Sequence, residues 1–284
     1  MKTALIMEGG AMRGLFTCGV IDVFMENNIT FDCAAGVSAG AVFGCNFKSR
    51  QIGRPLRYNK KYCTDSRYVS FKNFFTTGDL YGVDFCYHEL PDRLDVFDRK
   101  TFRENPMEFW LCATNVETGQ AEYHLCTDGE DVDIEWMRAS ASIPVLSRVV
   151  EIDGLKLLDG GTADPVPYRF MTEQQGCDRS ITVLTQPAGF QKKKSSSLPL
   201  IRLALRKYPR LVAALADRPE RYNALYAHIE QEQSAGKTLI IRPPEPLGVG
   251  SMEKNPDELE RVYQIGRRTA EAMLDQVKAF LSAS

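Results

Sequence analysis

The order of apolar runs, loops and helical stretches predicts an α/β protein, with a central, mostly parallel sheet and helices on both faces. Two observations carry that prediction. Two short apolar runs near the N-terminus each lead through a glycine-containing loop into an apolar stretch of helical period. A strand–loop–helix unit given twice in succession argues for a parallel sheet covered by helices. Further short apolar runs return late, at residues 181–185 (ITVLT) and 238–241 (TLII), as additional strands.

Residues 3–7 (TALIM) read as a buried strand ending at a glycine pair. Phe16, Val20, Val23 and Phe24 then recur at helical spacing, so residues 8–14 join strand to helix. Residues 31–35 (FDCAA) form a second strand, and the small apolar residues 39–47 a second helix. Residues 109–113 (FWLCA) are a third strand, with 121–125 as its partner. Asp153-Gly154 sits between the runs 149–152 and 155–158, the signature of a hairpin. The last helix opens with Asn255 as cap, Pro256 at its first position, and Asp257 and Glu258 at its positive end. Leu259, Val262, Tyr263, Met273, Leu274, Val277 and Leu281 line its buried face.

The composition is that of an ordinary globular chain, with 44% hydrophobic and 25% charged residues among 284. A net charge of −2 gives no reason to expect nucleic acid as a partner. No apolar run approaches the length of a membrane-spanning helix. The opening MKTALIMEGG runs straight into a glycine loop rather than a signal-peptide pattern, which makes the cytoplasm the expected compartment. None of the eight cysteines forms a C-x-x-C pair, so they are expected to be small buried hydrophobes rather than metal or redox sites.

Two constellations can carry chemistry. Gly36-Val37-Ser38-Ala39-Gly40 is a G-x-S-x-G, a sharp turn from strand to helix that exposes the serine oxygen and demands tiny residues two positions to either side. Residues 8–14 (EGGAMRG) form a loop whose glycines let the backbone come close to a ligand. Such a loop suits a phosphate or the oxyanion of ester hydrolysis. It lacks the spacing of a dinucleotide loop, and Asp32 stands at the start of its strand rather than the end, so nucleotide binding is disfavoured. A serine nucleophile needs a base, and His88, His124 and His228 stand in no glycine-rich turn, so position assigns none of them. Asp159 follows a strand directly and precedes Gly160-Gly161, where it can accept the serine proton; locally it also reads as a plain turn, as Asp153-Gly154 does, and Asp164 is a competitor.

EGGAMRG, GVSAG and DGG, in this order, resemble the patatin-like phospholipase family in its bacterial branch, and the segments ATNVETG (113–119), ASASIP (139–144) and DGGTADPVP (159–167) are similar to it as well. The resemblance is strong over the first 170 or so residues and continues through RKYPRLVAALADRPERYN and LIIRPPEPL. It implies a three-layer α/β/α fold and a lipid acyl hydrolase that uses a Ser–Asp dyad, Ser38 and Asp159, without metal or other cofactor. It implies an oxyanion hole at Gly9, Gly10 and Ala11, supported by Arg13, with Gly36, Gly40, Gly160 and Gly161 shaping the turns. The family pattern reads D-G-G-G where this chain has Glu8-Gly9-Gly10-Ala11; Ala11 can donate its N–H but does not readily take a backbone conformation reserved for glycine. The remaining alternatives are a Ser–His–Asp esterase and a lipid-binding module without turnover.

The expected organisation is a catalytic core over 1–190, a basic helical segment over 191–237, and a strand and helix over 238–284 that complete the same domain. Residues 192–221 carry nine basic side chains against two acidic ones, interleaved with apolar residues. That stretch suits the anionic inner face of a membrane or a gate over the active site. The competing expectation is a solvated helical region broken by Pro199, Pro209 and Pro219.

Overall fold

The computed structural model of the chain describes residues 1–282. Its centre is an eight-stranded sheet with β1 (Thr3–Met7), β2 (Cys33–Val37), β3 (Glu108–Asn115), β4 (Ala121–Cys126), β5 (Val150–Ile152), β6 (Leu155–Asp159), β7 (Arg179–Val183) and β8 (Thr238–Ile241). The main path runs β5-β6-β3-β2-β1-β7-β8, with β4 on β3. The five strands from β3 to β8 along that path are parallel, while β4, β5 and β6 join antiparallel. The late strands foreseen at 181–185 and 238–241 are both in the sheet.

The central strands are apolar throughout because both faces are covered. Leu5 and Met7 pack with one cluster, and Ala4 and Ile6 with another, as the two-residue period of a strand requires. Helix α1 (Gly14–Glu26) lies against the first face and is buried nearly all round, because α9 (Pro256–Ser282) covers its outer side. The crossing is close at Gly19 and Gly266, where an added Cβ would come within 2.2 Å of the Tyr263 carbonyl oxygen and 2.0 Å of the Phe16 carbonyl oxygen. Helix α2 (Ala39–Lys48) lies beside α1, followed by α3 (Arg54–Tyr62), α4 (Phe71–Thr77) and α5 (Arg99–Glu104). Helix α6 (Asp131–Ala141) leads from β4 toward β5.

Past β7 come α7 (Leu198–Ala204) and α8 (Pro209–Ser234), and Tyr222, Tyr226 and Ile229 of α8 pack with the second face. The expectation that prolines break this region is corrected here. Pro199 and Pro209 sit at helix starts, where no N–H is needed, and Pro219 lies buried inside an unbroken 26-residue helix. The side chains that fasten α8 to the core, described below, flank Pro219 on both sides. Asn255 caps α9 as its sequence suggests, accepting from the Asp257 N–H at 3.0 Å. No helix among the described residues is long and apolar enough to cross a membrane.

Candidate active site

The register of one strand brings the two candidate residues together. On β3, Phe109–Thr114 is taken up along one edge by β4. The other edge pairs with β2 as far as Val37 opposite Cys112, and with β6 from Asp159 opposite Ala113 onward. Parallel β2 therefore leaves that edge where antiparallel β6 arrives. Ser38, just past Val37, meets Asp159 at the end of β6, and Ser38 Oγ donates to Asp159 Oδ2 at 2.6 Å.

Close backbone packing explains the glycines of the turn. A Cβ on Gly36 would sit 2.1 Å from the Gly40 carbonyl oxygen, and one on Gly40 would sit 2.4 Å from that of Met7. A Cβ on Gly160 would sit 2.1 Å from the Cys112 carbonyl oxygen, so β6 can reach its place only with glycine after Asp159. Ser38 itself has φ 54° and ψ −118°, a strained conformation for an L-residue. Its N–H donates to Ser140 Oγ at 2.9 Å, and that hydroxyl donates to the Cys112 carbonyl at 2.6 Å. Ser140, within the ASASIP segment, thus fixes the strained turn to β3.

Asp159 is buried and tied at every polar atom. Its N–H donates to the Ser142 carbonyl, its own carbonyl accepts from Thr114 Oγ1, and Oδ1 accepts the Gly161 N–H at 2.7 Å. Burial pushes its carboxyl above the ordinary range, while the Ser38 hydrogen bond, the Arg218 guanidinium, the Gly161 N–H and the Lys192 ammonium oppose the rise.

The loop after β1 runs alongside. A Cβ on Gly9 would lie 2.9 Å from Ser38 Cβ. The N–H groups of Gly9 and Gly10 donate to no acceptor among the described residues, and Ala11 opens a 3-10 turn whose first N–H has no partner within the turn. Ala11 has φ 48°, so an alanine does occupy the left-handed region here. Arg13 keeps its Nε buried and without a hydrogen-bond partner. The loop is anchored through Glu8, which is buried and accepts four hydrogen bonds: from Tyr222 and Tyr226 hydroxyls at 2.6 Å each, and from the Thr185 N–H and Oγ1 at 2.6 and 3.0 Å.

Two cavities meet at Ser38, Ala11 and Ile143. One is apolar and is lined by residues such as Val42, Phe43, Tyr87, Leu90 and Met137. The other is polar and brings Arg13, Lys192 and Arg218 to the loop and to Asp159. Burial, and then the nearby Arg218, bring the Lys192 ammonium down to about 8.

No histidine lines either cavity among the described residues. His88 is exposed, His124 is bonded to Asp133 at 2.8 Å, and His228 stands edge-on to Tyr168. Asp164 accepts from the Tyr123 hydroxyl in a different cavity, and Asp153 forms the hairpin turn at φ 51°. His124, Cys126 and Asp133 cluster within 4.8 Å, but Asp133 Oδ2 is already filled by three backbone N–H groups and burial holds the Cys126 thiol protonated. Ser140, Thr185, Arg218, Tyr222 and Tyr226 escaped the sequence reading, since a serine in a helix and a Tyr/Arg stripe on α8 look like ordinary packing.

A family model described as patatin-like phospholipase matches residues 5–171, more than half of the chain. The chain belongs to the patatin-like phospholipase family. Its fold, a mixed sheet with helices on both sides, agrees with that membership. A second model, a domain of unknown function (DUF6363), matches residues 208–282. Among similar proteins, an uncharacterized protein of Escherichia coli, YjjU, is 27% identical over 99% of this chain and 79% of its own length. Lysophospholipase nte1 of Aspergillus terreus is 24% identical over 98% of this chain, which spans only 18% of that protein. The crystal structure of VipD from Legionella pneumophila superposes with a TM-score of 0.49 at 13% identity, over 97% of this chain and 67% of that one.

The strain at position 38 is measurable. Ser38→Gly and Ser38→Ala both lose the hydroxyl, but only glycine relieves the backbone, so Ser38→Gly should be the more stable of the two by about 1–3 kcal/mol in urea unfolding. Equal stabilities would show that the turn holds no strain.

Proposed function

We propose that this chain hydrolyses lipid acyl esters through a Ser38–Asp159 dyad. The observation that carries the reading is the 2.6 Å hydrogen bond between Ser38 Oγ and a buried carboxylate, with Ser38 lining an apolar cavity and no histidine beside it. Asp159 takes the serine proton as Oγ attacks the ester carbonyl. Backbone N–H groups of Gly9, Gly10 and Ala11 hold the oxyanion, with Arg13 bracing the loop and Gly36, Gly40, Gly160 and Gly161 allowing the close approaches. The proton passes to the departing alcohol, which leaves an acyl-enzyme. Water, deprotonated by Asp159, then releases the carboxylic acid and restores Ser38. No step calls on a metal or another cofactor. A Ser–His–Asp esterase has no histidine placed to serve it.

The apolar cavity suits an acyl chain. The cationic one suits an alcohol part that carries a phosphate, as in a phospholipid or lysophospholipid. Segments 191–237 and 238–284 complete the same domain in this reading, supported by β8 in the sheet and α9 across α1.

Turnover of a p-nitrophenyl ester series should favour long chains and vanish, by about 10³-fold or more, in Ser38→Ala and Asp159→Asn. Full activity in Ser38→Ala excludes the dyad. Binding of lipid without hydrolysis in the wild type supports a binding module instead.

The cationic cavity has its own signature. Lys192, with its ammonium brought down to about 8, is charged below that pH and neutral above it. KM for a lysophospholipid should therefore rise as pH passes 8, while KM for an uncharged ester stays flat. Parallel profiles for the two substrates exclude phosphate recognition by Lys192.

We further propose that α7 meets an anionic membrane face, such as a cytoplasmic enzyme finds on the inner leaflet. Leu200 and Leu203 are 71% and 66% exposed, beside Ile201 of the polar cavity and among Lys193, Lys194 and Arg202. Leu200→Ser/Leu203→Ser should lose co-sedimentation with phosphatidylserine vesicles and keep short-ester turnover. Unchanged sedimentation removes the membrane contact.

A further inference from the structure

One helix fastens both loops of the proposed dyad, and it lies in the segment whose family model carries no function. From α8, Arg218 Nε donates to the Gly161 carbonyl at 2.6 Å. Arg221 Nη2 donates to the Thr162 carbonyl at 2.8 Å, and its Nη1 to the Ala163 carbonyl at 2.7 Å. Three consecutive carbonyls, beginning two residues after Asp159, are thus held by two guanidinium groups. On the same helix, Tyr222 and Tyr226 donate to the two oxygens of Glu8, the residue from which the Gly9–Ala11 loop springs. The spacing 218, 222, 226 is i, i+4, i+8, a single helix face.

We propose that Arg218, Arg221, Tyr222 and Tyr226 are positioning residues, and that α8 is a strut setting the base turn and the oxyanion loop in register with each other. The proposal rests on the Ser38–Asp159 reading above.

The chemistry of each loop explains the need. Backbone carbonyls in a turn have no ladder to hold them, and charged donors make the stronger hydrogen bonds. The turn held by Arg218 and Arg221 is the one whose Gly161 N–H occupies Asp159 Oδ1 and leaves Oδ2 to Ser38. On the other side, the oxyanion donors are backbone groups, so only their peptide planes can be aimed. Glu8 aims them, and its four donors include the two tyrosines. Among the described residues, α8 is the helix whose side chains hydrogen-bond to both loops.

Arg218 adds a field to the geometry. Facing Asp159 are the Ser38 hydroxyl, Arg218 from α8 and Lys192 from the segment before α7, with Glu8 and Arg13 across the cavity. The guanidinium favours the ionised carboxylate and so opposes burial, which favours the neutral acid. Removing that charge raises the pKa of the base, and its working, ionised form then appears only at higher pH.

The test uses the full chain, a medium-chain p-nitrophenyl ester, and Arg218→Gln, Arg218→Lys and Tyr226→Phe, each checked for folding by circular dichroism. In Arg218→Gln, kcat should fall by about 10²-fold, the loss expected from a small misplacement of reacting groups. The acid limb of its kcat–pH profile should move up by about one pH unit, the low end of the shift a neighbouring charge produces. Arg218→Lys keeps the charge, so it should return the limb to the wild-type position while kcat recovers in part. Tyr226→Phe removes one oxygen without changing volume or charge, and should lower kcat, leave KM within about twofold and leave the limb in place.

An Arg218→Gln protein with wild-type kcat and limb overturns the proposal. If that variant does not fold, a wild-type kcat in both Arg218→Lys and Tyr226→Phe overturns it equally. The outcome is separable from the dyad itself. Activity surviving in Ser38→Ala defeats the dyad, whereas a dead Ser38→Ala beside unaffected α8 variants defeats only the strut.

Discussion

Everything at the site depends on the shared edge of β3. A strand offers two edges, and β4 occupies one of them along Phe109–Thr114. The other is divided between β2, which ends at Val37, and β6, which begins its pairing at Asp159. Two strands of opposite direction cannot share an edge without meeting end to end, and the residues at the junction are Ser38 and Asp159. The junction tolerates no bulk. Gly36, Gly40 and Gly160 each pass a backbone carbonyl at a separation no Cβ could occupy. The same edge carries the strain of Ser38, because Ser140 pins the serine N–H back to Cys112.

Two buried carboxylates lie within this small region, and their surroundings separate their roles. Glu8 accepts four hydrogen bonds, so its acceptor capacity is spent on holding a loop. Asp159 accepts two, one from a backbone N–H and one from the serine. A carboxylate with unspent acceptor capacity, raised by burial, is the one that can take a proton. The longer Glu side chain at position 8 is what allows the reach to α8. An aspartate there would be one methylene shorter and would need the tyrosines closer to the sheet.

The legible parts of the chain were those governed by local sterics. G-x-S-x-G announces Ser38 because the turn requires tiny neighbours whatever else surrounds it. The apolar runs announce the central strands because both faces are covered. Asp159 is different. Asp153-Gly154 and Asp159-Gly160 look alike in sequence, and the pairing of β6 with distant Ala113 is what distinguishes a hairpin tip from a carboxylate brought to Ser38. The family resemblance supplied that residue where the local pattern did not. Ala11 stands in the left-handed region where glycine is the easier residue. A preference against positive φ is a matter of about 1–2 kcal/mol, small enough for an alanine to stand at φ 48° in a folded loop. Pro219 failed for the same reason, since a helix fastened on both sides of the proline is not broken by one lost hydrogen bond. The basic stretch was visible as charge but not as direction. Arg218 and Arg221 reach inward to carbonyls, Lys192 is half-buried at the cavity, and Lys193 and Lys194 face solvent.

The two cavities also constrain how an ester can lie across Ser38 in the proposed reaction. Arg54 lines the apolar cavity, but its guanidinium is already engaged by the Asp95 carbonyl and Asn46 Oδ1. A phosphate pushed into that cavity would be desolvated with no free cation to meet it. On the other side, burial and then the repulsion from Arg218 depress the Lys192 ammonium, a conflict that an anion between the two cations relieves. An acyl chain laid there would bury both cations against hydrocarbon. The carbonyl is therefore presented in one sense only, with the chain toward Val42 and Phe43 and the charged alcohol toward Lys192. That orientation leaves the departing oxygen on the side of Asp159 and Arg218, where the proton taken from Ser38 is held.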